Sequence, residues 1–246
     1  MIMEFDYYCI SDKGGREINE DSLGVFCDKS TPFCFVLADG LGGHGNGEVA
    51  SAEAIEIAKA MYNDQQIGFD SFKSYYELLE KKLSDIQQKN NAPNDYKTTA
   101  VFSVIDPKTE RFQCAHVGDS RLYYFRRNKI LFRTIDHSVP QMLALAGDIK
   151  DKEIRHHPDR NRLLKVMGNH SDSIYFELHD FVKIKKGDAI LVCSDGFWEL
   201  IEDKEMCKTL KKSKDASEWG TMMFDIVRKT GQDKDNDNMS AICIRL

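Results

Sequence analysis

Apolar and polar residues follow two spacings along the chain, one typical of strands and one typical of helices. Short runs rich in β-branched and aromatic residues predict strands at 4–11, 22–28, 33–38, 98–105, 111–117, 120–127 continuing towards 132, 175–182, 188–193 and 239–244. Apolar residues that recur every three or four positions predict helices near 50–61, 72–86, 139–146, 203–210 and 216–230. Because the helices fall in two blocks among runs of strands, this order favours an α+β fold with antiparallel sheets over a doubly wound parallel sheet.

The strand at 33–38 ends in a candidate site. Asp39 follows it directly, and a glycine-rich loop through Gly47 leads into the next helix. Glycines let a backbone approach a ligand closely, so a carboxylate beside such a loop indicates a binding site. Gly40, Gly42 and Gly45 also match the G-x-G-x-x-G fingerprint of dinucleotide-binding oxidoreductases. That fold requires a second strand after the helix, whereas this sequence predicts a second helix, and Asp39 would lie where the diphosphate binds.

Carboxylates recur where predicted strands begin or end. Asp39, Asp119 and Asp195 each follow an apolar strand, and Asp237 precedes the last strand by one residue. In antiparallel sheets the end of one strand lies beside the start of the next, so all four can share one edge. Clustered carboxylates raise one another's pKa unless a cation compensates, and no lysine or arginine alternates with these four. Oxygen ligands favour Mg²⁺ or Mn²⁺ over zinc, so the pattern predicts a magnesium or manganese site.

Composition narrows the function classes. The chain has 246 residues and a formal net charge of −6, which fits one large domain or two small ones and argues against nucleic acid as a partner. It has no apolar run long enough to span a membrane and no secretory signal at its N-terminus, so we expect no membrane association. Seven cysteines without a C-x-x-C spacing indicate free thiols in a reducing compartment, which predicts a cytoplasmic protein.

Residues 136–170 interrupt the pattern of strands. They are polar and rich in histidine and arginine, with one short helix near 139–146, and we interpret them as an inserted flap. The flap is basic against an acidic background, which suggests the hypothesis that Arg155, Arg160 and Arg162 contact phosphorylated proteins. The alternative is an ordinary solvated insertion.

Taken together, several segments of the chain resemble the metal-dependent protein phosphatases of the PP2C (PPM) family, in its compact bacterial form. The matching segments run in order along nearly the whole chain: Arg16-x-x-Asn-Glu-Asp21, Asp39-Gly-Leu-Gly-Gly-His44 with Gly47-Glu48, Thr98-Thr-Ala100, Gly118-Asp-Ser-Arg121, Asp136-His-Ser138, His157-Pro158 with Asn161-Arg162, Ser194-Asp-Gly196 and Asp237-Asn238. Each segment is weak alone, but the ordered series is specific. The resemblance implies a single catalytic domain over 1–246, built as a four-layer α-β-β-α sandwich of two central antiparallel sheets flanked by helices.

The resemblance also implies roles for the metal ligands. Asp39 would bridge two Mn²⁺ or Mg²⁺ ions, with the Gly40 carbonyl on one of them. Asp195 and Asp237 would complete the protein ligands of the other ion. Three further acids would act at the edge of this site, Glu20 and Asp21 through bound waters and Asp119 on a third, weaker ion found in bacterial members.

Two more residues receive catalytic roles by the same resemblance. Arg16 would grip the substrate phosphate, which suits the fork of donors on a guanidinium group. His44 is a candidate general acid for the departing serine or threonine oxygen.

The implied activity is hydrolysis of phosphoserine and phosphothreonine in proteins by a metal-activated water, without a covalent enzyme intermediate. Its partners would be phosphorylated proteins and a bacterial-type serine/threonine kinase whose action it reverses, and the enzyme would be a monomer. The alternatives are a non-catalytic module that binds phosphorylated partners and, on the glycine fingerprint alone, a nucleotide-binding oxidoreductase.

Overall fold

The computed structural model describes residues 5–27, 32–42, 46–169, 174–232 and 236–246. The strands are β1 (Asp6–Asp12), β2 (Asp21–Phe26), β3 (Phe33–Asp39), β4 (Ala100–Asp106), β5 (Arg111–Val117), β6 (Arg121–Arg126), β7 (Lys129–Arg133), β8 (Glu177–Leu178), β9 (Val182–Lys183), β10 (Ala189–Cys193) and β11 (Met239–Arg245). The helices are α1 (Gly47–Asn63), α2 (Phe72–Asn90), α3 (Val139–Ala146), α4 (Asp195–Trp198), α5 (Asp203–Lys212) and α6 (Ala216–Gly231), with a 3₁₀ helix at Asp151–His156.

Within these ranges the strands form two antiparallel sheets. The first has the order β1-β11-β10-β6-β7, and the second has the order β2-β3-β4-β5-β8, with β9 also pairing with β5. Strand β11 therefore lies between β1 and β10, which brings the two ends of the described chain into one sheet. The predicted antiparallel sheets are confirmed.

Alternating side chains along each strand divide the core into layers. In β3, Phe35 and Leu37 point into the space between the sheets, whereas Val36 and Ala38 pack against the helices. The cluster that contains Val36 includes buried residues of α1 and α2, such as Ala54. On the other side of the molecule, buried residues of β10 and β11 pack against α5 and α6. The α-β-β-α sandwich follows from this alternation, because every strand of these central pairs must bury both faces.

The glycine loop does not belong to a dinucleotide-binding fold. Strand β3 pairs antiparallel with both β2 and β4, and α1 is followed by α2 rather than by a parallel strand. The right-handed strand–helix–strand unit that such a fold requires is absent from this described segment.

Two strand predictions needed correction. The run predicted from 120 towards 132 is a hairpin, because Arg127 and Asn128 adopt φ values of 53° and 58° and turn the chain between β6 and β7. The strand predicted at 175–182 is two short pieces on the edge of the second sheet. Its pairing with β5 shifts by one residue between β8 and β9, so a bulge interrupts it.

The flap follows β7 of the first sheet and precedes β8 of the second sheet. Its helix α3 has the bounds expected from the sequence, whereas the 3₁₀ helix was not predicted. Helix α4 was also missed, because its four residues are too few to show a helical period.

All seven cysteines lie in the described ranges and are free thiols. Four are buried in the strands as expected, but Cys9 and Cys27 are exposed and Cys207 is half-buried. None of the described helices combines the length and the apolar character that crossing a membrane requires.

Candidate active site

A cleft of about 740 Å³ opens at one end of the sandwich, where the loops that connect the two sheets converge. Asp39 reaches it from the end of β3, and Asp195 reaches it from the start of α4, directly after β10. Asp119 comes from the β5–β6 connection, and Asp237 precedes β11. The edge predicted to gather four aspartates is thus formed jointly by both sheets.

The backbone of Asp39 is held by two threonines. Its N–H donates to Thr99 Oγ1 at 3.0 Å, and its carbonyl oxygen accepts from Thr98 Oγ1 at 2.9 Å and from the Thr99 N–H at 2.8 Å. The Thr99 hydroxyl also contacts the Ser120 hydroxyl at 2.8 Å, next to Asp119. The two threonines carry no charge, but through these contacts they join the loop of Asp39 to the loop of Asp119.

The backbone of α1 packs so closely against position 40 that only glycine fits there. Its N–H donates to the Glu20 carbonyl at 3.0 Å, and a Cβ at this position would lie 2.2 Å from the carbonyl oxygen of Gly47. Any side chain would therefore push the start of α1 away from the end of β3. This close approach also brings the Glu20 side chain to the cleft, next to Gly42.

Asp21 lies behind the cleft, paired with Asp39 across β2 and β3. Its Oδ2 accepts from Ser194 Oγ at 2.8 Å, whereas its buried Oδ1 has no hydrogen-bond partner within the described part of the chain. Burial raises the pKa of the Asp21 carboxyl to about 7, although the hydrogen bond from Ser194 opposes the shift. A buried carboxylate oxygen without a donor is costly, and a bound water or cation would satisfy it.

Asp119 lies in the short connection between β5 of the second sheet and β6 of the first sheet, where the backbone is closely packed. Gly118 before it has a φ of 101°, and a Cβ there would lie 2.5 Å from the Thr99 side chain. The indole N–H of Trp198 donates to the Asp119 carbonyl at 3.0 Å. Burial, followed by repulsion from Asp136, raises the pKa of the Asp119 carboxyl to about 8.

Two further aspartates of the cleft, Asp39 and Asp195, also have raised pKa values. Burial raises the pKa of Asp39 and of Asp195 well above the usual range, and their neighbouring carboxylates raise both further. Glu20 follows the same direction, mainly through burial. Oxygen donors that converge with raised pKa values form a set that a hard divalent cation stabilises in its charged form. The residues present therefore fit Mg²⁺ or Mn²⁺.

Arg16 meets Asp237 at the mouth of the cleft. Its Nε and Nη2 donate to Oδ1 and Oδ2 of Asp237 at 3.1 and 3.0 Å, a bidentate pair. The loop that carries Arg16 is held in place by Asn238, whose side-chain amide donates to the carbonyls of Lys13 and Ile18 at 2.9 and 3.0 Å. No lysine or arginine alternates with the four aspartates along the sequence, but the fold brings Arg16 against Asp237.

Most of the predicted site residues lie together. Those that line the cleft are Arg16, Glu20, Asp39, Gly40, Asp119, Asp195 and Asp237. Asp21 is behind them, bonded to the residue that precedes Asp195. His44 lies outside the described residues.

Several residues of the cleft were not predicted. Lys97 lines it, directly before the two threonines, and Leu163, Leu164 and Val166 line it from the flap. Glu199 is a further acid beside the cluster, and burial raises its pKa. Lys97 directly precedes the Thr98-Thr-Ala100 segment, which was singled out in the sequence. However, neither Lys97 nor Glu199 stands at the end of an apolar strand or at a repeated spacing that would identify it.

The flap arginines do not act as a group. Arg155 is only 8% exposed, and its guanidinium donates to the Ile201 carbonyl at 2.7 Å and to Asp203 at 3.1 Å. Arg160 donates to Glu199 at 2.9 Å, while Arg162 is exposed and lies 3.5 Å from Asp159. The hypothesis that all three contact phosphorylated proteins was therefore wrong for Arg155, which anchors the flap.

Comparisons with known proteins agree with this arrangement. A family model for protein phosphatase 2C matches residues 13–240. The serine/threonine phosphatase stp of Listeria monocytogenes is 30% identical over 211 residues, which cover 82% of this chain and 81% of that protein. The protein phosphatase PhpP of Streptococcus pneumoniae is 28% identical over 196 residues, which cover 78% of each protein.

Solved structures show the same fold. The serine/threonine phosphatase Stp1 from Staphylococcus aureus is 27% identical, with a TM-score of 0.87 over 99% of this chain and 96% of that one. The catalytic domain of the serine/threonine protein phosphatase PstP, solved in complex with two manganese ions, is 25% identical, with a TM-score of 0.78 over 98% of this chain and 97% of that one. With its matching sequence, its two helix-flanked antiparallel sheets and its carboxylate cleft, this chain belongs to the protein phosphatase 2C family.

Proposed function

We propose that this protein hydrolyses phosphoserine and phosphothreonine in phosphorylated proteins, with divalent cations bound in its carboxylate cleft. The observation that carries the proposal is the convergence of Asp39, Asp119, Asp195 and Asp237 from both sheets, with Arg16 at the mouth. The named activities of the Listeria and Streptococcus relatives support the same reaction. The intact set of acids argues against a non-catalytic phosphoprotein-binding module.

The roles proposed for the metal ligands rest on the resemblance to the protein phosphatase 2C family. Asp39 would bridge two ions with the help of the Gly40 carbonyl, while Asp195 and Asp237 would serve the second ion. Glu20 and Asp21 would act through water, and Asp119 would hold a third ion. Such cations supply the Lewis acidity that activates water and offsets the charge of the phosphoryl group. We propose Mn²⁺ or Mg²⁺, because the donors are oxygens and PstP binds manganese.

The protein's own residues position the substrate. The Arg16 guanidinium, placed at the mouth by its loop, is suited to bind two oxygens of the phosphoryl group, and a cation on Asp237 would compete for the carboxylate that Arg16 now contacts. The open side of the cleft leaves room for the peptide that carries the phosphorylated residue. His44 is proposed as the acid that protonates the departing oxygen.

The cellular setting and the domain organisation are also part of the proposal. The protein would act in the cytoplasm as a monomer, on proteins phosphorylated by a bacterial-type serine/threonine kinase. Residues 1–246 would form one catalytic domain, with residues 136–170 as its flap. The support is the nearly full-length match with bacterial phosphatases and the contact of the flap with the cleft.

Hydrolysis of a phosphothreonine peptide tests the proposal. Chelator-treated protein should be inactive, and added Mn²⁺ should restore phosphate release. Asp39→Asn should reduce the metal-dependent rate by at least about 100-fold, because several kcal/mol of transition-state stabilisation depend on the bound cations. The matched control is Asp64→Asn, an exposed aspartate at the end of α1, which should retain the parent rate.

Two outcomes would contradict the proposal. Equal rates in Asp39→Asn and Asp64→Asn would remove Asp39 from the reaction. Folded, metal-loaded parent protein that releases no phosphate from several phosphoserine and phosphothreonine peptides would favour the non-catalytic binding module.

A further inference from the structure

A group of imidazole and carboxylate side chains lies outside the carboxylate cleft, at the edge of the second sheet. It comprises His116 of β5, His137 at the start of the flap, Glu177 of β8 and the adjacent His179. His116 and Glu177 are opposite each other across the β5–β8 pair. One ligand atom from each of His116, His137 and Glu177 lies within 4.8 Å of the others.

The backbone fixes the tautomers of two of these histidines. His116 Nε2 lies 2.8 Å from the Ile135 carbonyl oxygen, so this nitrogen carries the proton and Nδ1 keeps a lone pair. His137 Nδ1 accepts the N–H of Gly118 at 3.1 Å, so its proton is on Nε2, which lies 3.3 Å from Glu177 Oε2. His116 is therefore ready to bind a metal ion through Nδ1, whereas His137 is a donor to the Glu177 carboxylate.

His179 lies beside both His116 and Glu177. Its Nε2 lies 3.2 Å from His116 Nδ1 and 3.9 Å from Glu177 Oε1. Two nitrogens that bind one tetrahedral Zn²⁺ at about 2.0–2.1 Å are separated by about 3.3–3.4 Å. The spacing of the two rings is thus suited to a shared ion. A hydrogen bond from His179 Nε2–H to His116 Nδ1 fits the same spacing, so metal binding requires the His179 proton to move to Nδ1 of the same ring.

The surroundings of the three donors resemble those of natural metal sites. A ligating histidine commonly donates its other N–H to a backbone carbonyl, as His116 does to Ile135. A ligating carboxylate commonly accepts a hydrogen bond as well, as Glu177 does from His137. Burial lowers the pKa of His116 and of His137 to about 4 and also lowers that of His179, which keeps the rings neutral at pH 7. Neutral imidazole is the form that binds metals.

Access from solvent exists on one side. The Glu177 side chain is 36% exposed and that of His179 is 16% exposed, whereas His116 is fully buried. An ion can therefore enter past Glu177 and His179 and reach the buried nitrogen. A water molecule can occupy the remaining position of a three-ligand site.

We infer that His116 Nδ1, His179 Nε2 and the Glu177 carboxylate form a site for a borderline transition-metal ion such as Zn²⁺, separate from the cleft that suits Mg²⁺ or Mn²⁺. Imidazole donors distinguish the two sites, because hard oxygen ligands select magnesium and manganese whereas imidazoles suit zinc. His137 is a positioning residue that orients Glu177. A bound ion would tie the short strand β8 to β5 close to the first residues of the flap.

Zinc binding to purified protein at neutral pH tests this inference. A background variant with Asp39→Asn and Asp195→Asn weakens metal binding in the cleft, and equilibrium dialysis then measures zinc bound per chain. We expect His179→Gln and Glu177→Gln to lose one equivalent of zinc in this background. His156→Gln, which replaces an exposed flap histidine, is the matched control and should lose none. His137→Gln should weaken the affinity about 10–100-fold without removing the site.

The coordination can be observed directly with Co²⁺. Cobalt in the imidazole site should give the intense visible absorption of a low-coordinate ion, and this signal should be absent in His179→Gln. The inference is overturned if the background variant binds no zinc, or if His179→Gln and His156→Gln bind equal amounts. Should His179→Gln fail to fold, Glu177→Gln decides the question, because its replaced carboxylate is partly exposed.

Discussion

Lys97 brings a second cationic side chain to the cleft, in addition to Arg16. Its carbonyl accepts the Leu41 N–H at 2.9 Å, which fixes its backbone beside the end of β3. Its half-buried side chain lines the cleft and forms no ion pair with any residue that the structure describes, whereas Arg16 is bound to Asp237. The Lys97 ammonium group is therefore available to a negatively charged substrate.

Replacement of Lys97 by methionine keeps the length of the side chain and removes its charge. We expect the KM for a phosphothreonine peptide to rise about tenfold, since hydrogen bonds to charged groups contribute about 1.5–3 kcal/mol. The kcat should change less, because the loss of the Lys97 charge weakens substrate binding but leaves the acids that would bind the metal ions in place. Steady-state kinetics checks this, with Lys108→Met in the exposed β4–β5 turn as the control. A KM equal to that of the control variant would show that Lys97 does not contact substrate.

At the same scale, the sequence predicted the acids of the cleft better than their partners. Asp39, Asp119 and Asp195 were found because a carboxylate directly after a buried strand has a simple positional signal. Lys97 and Glu199 carry no such signal, since their position depends on contacts between segments far apart in the chain. Neither the direction of a side chain nor its burial can be read from spacing in such loops.

Among the elements, the flap is attached in part by a buried arginine, Arg155. Arg155 lies in the 3₁₀ helix and binds the carbonyl of Ile201 and the carboxylate of Asp203, at the start of α5. Its guanidinium also lies 5.6 Å from the ring of Trp198 in α4. These contacts fasten the middle of the flap to the helices that follow β10.

Arg155→Ala should therefore destabilise the protein much more than Arg162→Ala. Arg155 is buried and Asp203 is 46% exposed, so the loss comes mainly from the buried hydrogen bond to the Ile201 carbonyl. Hydrogen bonds to charged groups contribute about 1.5–3 kcal/mol. The exposed Arg162 pairs only with Asp159 on the surface, and such pairs contribute about 0–1 kcal/mol. Chemical denaturation of both variants measures the difference. Equal free energies of unfolding would show that Arg155 does not anchor the flap.

The elements themselves were predicted unevenly, for physical reasons. Long helices such as α2 and α6 have a clear apolar face, and the central strands are continuous apolar runs, so both types were found. The break between β8 and β9 comes from a one-residue shift in pairing with β5, which no pattern in the edge strand alone encodes. Short helices such as α4 depend on the tertiary contacts of their ends.

On the scale of the whole molecule, the acidic cleft makes stability depend on pH when cations are removed. The pKa of Asp21 rises from 3.8 to about 7 in the folded protein. Its folded form thus binds a proton more tightly than its unfolded form does. The contribution to stability is fully present below about pH 4 and is lost as the pH rises through about 7.

Chelator-treated protein should accordingly unfold more easily at about pH 8 than at about pH 5. Asp21→Asn cannot lose this proton, so it should stabilise the chelated protein at about pH 8, by at most about 4 kcal/mol, and reduce the pH dependence. Thermal unfolding across this range measures the effect, with the exposed Asp85→Asn on α2 as the control. Added Mn²⁺ should stabilise the parent protein most at the higher pH. A parent protein whose stability rises with pH in chelator would contradict the argument.

The whole sandwich was predictable because its order of elements and its series of motifs point to the same fold. Two blocks of helices among strands require sheets with covered outer faces, and the structure shows them. Which strands pair across the chain was not predictable. The meeting of β1 with β11 joins residues at opposite ends of the described sequence, and local patterns carry no information about such distant pairing.

The position of β11 has a consequence for synthesis on the ribosome. This strand lies between β1 and β10, and Asp237 immediately precedes it, so the first sheet cannot close before residues 239–245 have left the ribosomal tunnel. Asp21 and Asp39 are synthesised before Asp195 and Asp237, so the set of acids stays incomplete until the later two have emerged. A nascent chain therefore carries an incomplete set of acids, and it cannot act on neighbouring phosphoproteins until β11 is in place.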